Sequence, residues 1–132
     1  MYTSRLIIFA LSIGVISPVF AKDQFSSIPI HIKQGMSYTK ARKALLDDGW
    51  QTVTMHVRPN GSPVCNMDNQ DCKYPEIEAC SGSGMGYCKM FFYDGKKTYL
   101  ELTTEGGSPP DAVVNSWTRS KERPQIEPEE SE

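Results

Sequence analysis

The chain has 132 residues, which is room for one domain of ordinary size. With 14 Lys and Arg against 16 Asp and Glu, the formal charge of −2 excludes a nucleic-acid binder that depends on a strongly basic surface. Hydrophobic residues make up 39% of the chain, which is too many for a wholly disordered protein.

Residues 1–21 have the layout of a secretory signal peptide. One cation precedes the apolar run Leu6–Val15, and Val19 and Ala21 stand three and one positions before the proposed cleavage site. The apolar stretch is shorter than the roughly 20 residues that a membrane-spanning helix needs, so we predict no membrane span. The sequence therefore predicts a periplasmic or secreted protein with a single domain at residues 22–120.

Residues 121–132 differ in composition from the rest of the chain. They contain two basic and five acidic residues, with prolines at positions 124 and 128. Such a segment can bury little apolar surface, so we predict a disordered acidic tail that keeps the protein soluble.

The region after the leader begins with an extended pattern and continues with a helical one. Ile28–Ile32 is a short apolar segment, and Ser37 is a suitable N-cap for a helix from Tyr38 to Asp48. The apolar stripe of this helix consists of Ala41, Ala44, Leu45 and Leu46, and its outer side of Lys40, Arg42 and Lys43. Gly49 is expected to end the helix in a left-handed conformation, so that Trp50 packs back on the last turn.

Later segments show strand patterns. Thr52–Val57 alternates between polar and apolar residues, and Ala112–Thr118 is a further candidate strand. Lys89–Tyr93 and Lys97–Thr104 flank Asp94-Gly95-Lys96, which is a strong hairpin signal.

The length of the hairpin loop decides which side chains share a face of the sheet. A two-residue loop would place Phe91 beside Leu100 and Leu102, whereas a three-residue loop with Gly95 left-handed groups Met90 and Phe92 with those leucines. The three-residue loop leaves the charged residues of both strands outward, so binary patterning favours it.

The four cysteines are Cys65, Cys72, Cys80 and Cys88, and in an exported chain an even number indicates disulfides. No Cys-x-x-Cys pair is present, which argues against zinc and thioredoxin-type sites. Three pairings are possible; we favour Cys65–Cys72 and Cys80–Cys88 because both intervals are rich in turn-forming residues. The predicted fold is α+β: one helix packed on a small antiparallel sheet of three to five strands, with a long disulfide-stapled loop, Arg58–Tyr87.

Part of the chain resembles the first half of a PASTA module. The likeness covers residues 28–53 and rests on Ile28-Pro29, Gly35-Met36-Ser37, Ala41, Leu45-Leu46, Gly49 and Val53. All of these are helix-capping or packing positions, so the resemblance implies a strand–helix–strand order and carries over no ligand-binding residue. Some such modules bind cell-wall material or cell-wall enzymes.

The sequence offers little catalytic machinery. It has two histidines and no Gly-x-Ser-x-Gly elbow, and its glycine-rich stretch Cys80–Cys88 lacks the Gly-Lys-Ser ending of a phosphate loop. Met55 and His56 are strand neighbours that point to opposite faces, which argues against a shared metal ion. We therefore predict no metal, no cofactor and no catalysis. A small hydrolase remains an alternative, with loop acids Asp68, Asp71, Glu76 and Glu78.

Aromatic side chains on the outward face of the sheet are the candidate binding site. The predicted binding residues are His56, Phe91, Tyr93, Tyr99 and Trp117. The alternative is that the Arg58–Tyr87 loop folds over this face and forms a second small core. We predict a non-enzymatic binding protein whose partner is another protein or a cell-wall component, such as an inhibitor of an envelope or foreign enzyme. An accessory component of an envelope assembly is the alternative.

Overall fold

The computed structural model describes residues 14, 25–64 and 73–129. Within these ranges the chain forms one helix, α1 (Tyr38–Asp48), and five strands. The strands are β1 (Gln51–Thr52), β2 (Ile77–Cys80), β3 (Cys88–Tyr93), β4 (Tyr99–Glu105) and β5 (Val113–Ser120). The predicted leader, apart from Gly14, lies outside the described residues, as do Cys65 and Cys72.

The strands form one antiparallel sheet. β4 lies between β3 and β5, while β1 and β2 share the other edge of β3, with β1 at its carboxyl end and β2 at its amino end. The predicted α+β class, with one helix and up to five antiparallel strands, is confirmed.

Helix α1 begins and ends where its capping residues predict. The Ser37 side chain accepts a hydrogen bond from the backbone N–H of Lys40, and Gly49 adopts a φ of 105°. The N–H of Trp50 then donates to the carbonyl of Leu45 at 3.0 Å. This 6→1 bond of a Schellman motif turns Trp50 into the core, where its exposure is 1%.

The predicted polarity of the helix is wrong at two positions. Leu46 is exposed, whereas Arg42 leans inward and pairs with the buried carboxylate of Glu76. The partner of Arg42 lies 34 residues away in the chain, and helical periodicity carries no information about such a contact.

Three extended segments differ from expectation. Ile28–Ile32 forms no strand, although Ile32 is buried in the core. β1 is shorter than the predicted strand Thr52–Val57. The N–H of Val53 still donates to the carbonyl of Phe91 in β3, but the N–H of Met55 donates to the carbonyl of Pro75, so the pairing with β3 ends there. β2 lies inside the stretch that sequence patterning marks as irregular.

The hairpin of β3 and β4 has the predicted faces and a longer loop. Phe92 faces Leu100 and Met90 faces Leu102, and all four are fully buried in the core beneath α1. Five residues, 94–98, separate the last strand pair instead of the predicted three. The shift in register is two residues, and because side chains alternate with a period of two, the faces are unchanged.

The carboxylate of Asp94 organises this loop. Its Oδ1 accepts hydrogen bonds from the backbone N–H groups of Lys96, Lys97 and Thr98 at 2.8–3.0 Å. Burial by itself raises the pKa of Asp94, but the three backbone donors outweigh it and lower that pKa to about 2.

The Asp94 loop makes the stability of the fold dependent on acid pH. The folded pKa lies below the unfolded value, so the stabilisation is present above about pH 4 and is lost as the pH falls towards 2. The shift corresponds to about 2 kcal/mol. We expect Asp94→Asn to remove much of this pH dependence in urea unfolding at pH 6 and pH 3. The exposed Asp111→Asn is the control, and equal pH dependence in both variants would contradict the assignment.

Candidate functional site

Three of the predicted binding residues share the outer face of the sheet, the face opposite α1. Phe91 and Tyr93 alternate along β3 with the buried residues, and Tyr99 faces Tyr93 from β4. The two tyrosine rings stack with centroids 4.6 Å apart and an interplanar angle of 22°. These three aromatic side chains therefore lie on the side of the sheet that faces away from α1.

Trp117 does not belong to this cluster, contrary to the prediction. It lies directly opposite Leu102, and in an antiparallel pair such partners point to the same face, so Trp117 is on the helix side of the sheet. It lies on the edge strand β5, where its side chain is 37% exposed.

The outer face is covered by the chain itself. Phe91 is only 8% exposed, although its position in β3 points away from the core. Among the described residues, some that border this part of the sheet belong to 121–129, here called the C-terminal segment. Glu122–Gln125 and Phe91 line the same cavity of about 310 Å³.

The far end of the C-terminal segment is attached beyond the opposite edge of the sheet. The N–H of Glu129 donates to the carbonyl of Val57 at 2.8 Å, and Pro128 forms a parallel bridge with Val57. The composition of residues 121–132 gives no sign of these contacts. The disorder expected of the whole tail stays a prediction, and residues 130–132 lie outside the described residues.

His56 lies at this attachment point. Its Nε2 is 3.0 Å from the carbonyl oxygens of Ile77 and Glu78, and its Nδ1 is 2.5 Å from Oε1 of Glu129. Carbonyl and carboxylate oxygens accept hydrogen bonds, so each ring nitrogen of His56 faces an acceptor. His56 therefore links the C-terminal segment to the backbone of β2.

A second exposed feature is the loop Ser81–Tyr87, here called the disulfide loop. Cys80 and Cys88 face each other across β2 and β3 and form a disulfide, as predicted, with Cα atoms 4.0 Å apart. Just inside the bridge, the N–H of Ser81 donates to the carbonyl of Tyr87 at 2.7 Å, and the N–H of Tyr87 donates back to Oγ of Ser81 at 3.0 Å. The base of the loop is thus closed by three links.

The tip of the disulfide loop is also fixed. Backbone N–H groups of Gly106 and Gly107 donate to the carbonyls of Met85 and Gly86 at 2.8 and 3.1 Å. Gly86 has a φ of 63°, and a Cβ atom there would lie 2.6 Å from the nitrogen of Gly107, so no other residue fits. Few conformations remain available to the loop backbone.

Two large apolar side chains project from this fixed loop. Met85 is 58% exposed and Tyr87 is 44% exposed, the first being the highest value among the large hydrophobic residues that the structure describes. Sequence reasoning missed both. The available signal was a short cysteine interval in which Met85 and Tyr87 are the two large side chains among glycines and serines.

Glu76 is a buried acid rather than a solvated loop residue. Its Oε1 accepts hydrogen bonds from the Tyr38 hydroxyl and from Nε of Arg42, both at 2.5 Å, and its side chain has no exposure. Burial, together with the adjacent carboxylate, raises the pKa of Tyr38 above its ordinary range. For Arg42, burial lowers the pKa, but the hydrogen bond and charge of Glu76 outweigh it and the net pKa is raised. The arrangement is a structural ion pair.

The other sequence-predicted acids do not complete a catalytic pair. Glu78 lies 3.8 Å from the ammonium of Lys89, and Asp68 and Asp71 lie outside the described residues. Among residues 25–64 and 73–129, no three His, Cys, Asp or Glu side chains are placed to hold a metal ion. None of the helices in that part of the chain is long and apolar enough to cross a membrane.

No protein-family model, curated protein or solved structure matches this chain. The resemblance of residues 28–53 to a PASTA module therefore stays a prediction. Of its implied strand–helix–strand order, the structure contains the helix and the short strand β1.

Proposed function

We propose that the protein is an exported, disulfide-stabilised binding protein without catalytic activity, which inserts the tip of its disulfide loop into an apolar pocket of another protein. Such a contact would suit an inhibitor of an envelope enzyme or of a foreign enzyme. The export of the chain rests on the signal-peptide layout of residues 1–21, and the cross-strand disulfide is compatible with an oxidising compartment.

The observation that carries the proposal is the exposure of Met85 on a loop that is already fixed. A flexible loop must be ordered on binding, at a cost of about 0.5–1.5 kcal/mol for each immobilised side chain and more for the backbone. The disulfide Cys80–Cys88 and the two bonds from Gly106 and Gly107 order this backbone beforehand. Methionine is suited to such a contact because its unbranched side chain adapts to the shape of a pocket.

The buried state of Glu76 favours binding over hydrolysis. A general acid or base must reach the substrate directly or through one water molecule. The carboxylate of Glu76 is enclosed and already bonded to Tyr38 and Arg42, so its role in the fold is to join α1 to the chain before β2.

Site-specific photo-crosslinking tests this proposal. A photoreactive amino acid at position 85 is expected to crosslink one envelope or secreted protein, whereas the same group at position 46 is not. Leu46 is a fair control because it is also an exposed apolar residue, but on the helix. Met85→Ala is then expected to weaken binding to that protein by ten- to a hundredfold, as for a central interface residue.

The matched control for Met85→Ala is Ser83→Ala, which changes the same loop without removing its apolar tip. Equal crosslinking from positions 85 and 46, or unchanged affinity of Met85→Ala, would contradict the proposed contact. Turnover of a peptide, ester or cell-wall substrate by the purified chain would contradict the absence of catalysis. A partner that is not an enzyme and stays bound in a fixed ratio would identify an accessory subunit instead.

A further inference from the structure

We propose that the outer face of the sheet is a binding groove for an extended peptide, and that the C-terminal segment of the chain is its resident occupant. The foreign occupant would be a proline-containing peptide with alternate apolar side chains and a carboxylate near its carboxyl end. This surface contains no residue of the disulfide loop, so it is independent of the function proposed above.

The first support is the alternation of half-buried and exposed residues along the C-terminal segment. Pro124 and Ile126 are half-buried, while Arg123, Gln125 and Glu127 between and beside them are exposed. A burial period of two is that of an extended chain lying on a surface. The prolines at 124 and 128 favour this conformation because each fixes its own φ and also disfavours the helical region for the preceding residue.

The second support is the chemistry of the face. Phe91 and Tyr99 form an aromatic floor beneath the first half of the segment. At the other end, His56 is held by two backbone carbonyls and offers its Nδ1 to the carboxylate of Glu129. An aromatic floor that ends at a positioned imidazole nitrogen, here 2.5 Å from a carboxylate oxygen, is complementary to an extended peptide with an acidic end.

The third support is the incomplete fit of the segment. Cavities of about 310 and 430 Å³ remain where it passes over the face, one beside Phe91 and one between His56 and Glu127. Both cavities open to solvent, so the face still has room for other side chains beside the segment. The contacts that attach the described end of the segment include a backbone hydrogen bond, a bridge and an ion pair. These contacts are non-covalent, so a peptide that makes the same ones can compete with the segment.

Covalent attachment favours the resident segment over any free peptide. A tethered occupant acts at an effective concentration in the millimolar range, so a foreign peptide binds the intact chain weakly unless its own contacts are better. Weakening the resident segment without changing the groove should therefore increase affinity for a peptide added in solution.

This expectation is tested with a dye-labelled synthetic peptide that has the sequence of residues 121–132. We expect it to bind Glu129→Gln at least tenfold more tightly than it binds the unaltered protein in fluorescence anisotropy titrations. The variant removes the resident carboxylate that lies 2.5 Å from His56 Nδ1, so the carboxylate of the peptide no longer competes with it for this position. Glu127→Gln, which alters a carboxylate in the same cavity, is the control and should stay within twofold of the unaltered protein.

Ile126→Ser is a second variant, which weakens the resident segment by removing a half-buried apolar side chain. We expect it to bind the labelled peptide at least tenfold more tightly than the unaltered protein does. A peptide in which the residue equivalent to Glu129 is glutamine should lose most of the affinity. The proposal is overturned if the peptide binds neither variant, or if Glu127→Gln gains as much as Glu129→Gln. It is also overturned if Glu129→Gln forms dimers in light scattering, since the exchanged occupant would then be a second copy of the chain.

Discussion

Replacing Arg42 with alanine is expected to lower the free energy of unfolding by about 3–4 kcal/mol, although the residue is on the surface of a helix. The reason is the carboxylate that it leaves behind. Glu76 has no exposure, its Oε2 has no hydrogen-bond partner among the described residues, and its Oε1 would keep only the Tyr38 hydroxyl. An uncompensated buried charge costs far more than the pair gains, and urea unfolding followed by circular dichroism measures the loss.

The stability of a double variant, compared with that of Arg42→Ala alone, distinguishes a stranded buried charge from simple loss of packing. In Arg42→Ala combined with Glu76→Met, no buried charge remains, so we expect the double variant to be more stable than Arg42→Ala alone. The neighbouring Lys43→Ala is the control, because its pair with Asp47 is exposed and should be worth less than about 1 kcal/mol. A double variant that is less stable than Arg42→Ala would show that the stranded charge is not the cause.

The helix and the burial pattern of the hairpin could be predicted because both depend on local chemistry. Ser37 and Gly49 fix the ends of α1 through bonds to residues within one turn. The inner face of β3 and β4 follows from alternation alone, so Met90 and Phe92 were assigned correctly even though the loop is two residues longer than expected. The longer loop depends on Asp94, whose carboxylate binds three successive N–H groups, a contact that a count of turn residues does not include.

The rest could not be predicted because it depends on contacts between distant parts of the chain. Phe91 lines a cavity together with residues about 30 positions later, and nothing in their acidic composition indicates that they lie beside an aromatic face. The inward orientation of Arg42 depends on Glu76 in the same way. Trp117 was assigned to the wrong face because an irregularity between Thr103 and Thr104 shifts the register of β5, which periodicity in a single strand does not reveal.

Trp50→Ala is expected to have the other large effect, a loss of about 3–5 kcal/mol, which is close to the whole stability of a small domain. Trp50 is fully buried between α1 and the sheet, and its Nε1–H donates to the carbonyl of Pro29 at 3.1 Å. That bond ties Ile28–Ile32, which forms no strand, to the end of the helix. Trp50→Phe keeps most of the ring contact but leaves the carbonyl without its donor, so we expect a smaller loss of about 1–2 kcal/mol.

Proteolysis distinguishes the two contributions of Trp50, which are the packing of its ring and its hydrogen bond to the carbonyl of Pro29. The tether to Pro29 holds the segment that ends at the exposed Lys33, so trypsin should cleave after Lys33 faster in Trp50→Phe than in the unaltered protein, at a pH and temperature where both are folded. Trp117→Phe is the control, since this tryptophan is partly exposed and lies on a strand far from that segment in sequence. If Trp50→Phe is cleaved no faster than Trp117→Phe, the bond to Pro29 is not what holds Ile28–Ile32. The burial of Ile32 and the pair of His31 Nδ1 with Asp48 at 2.8 Å would then suffice to keep the segment in place.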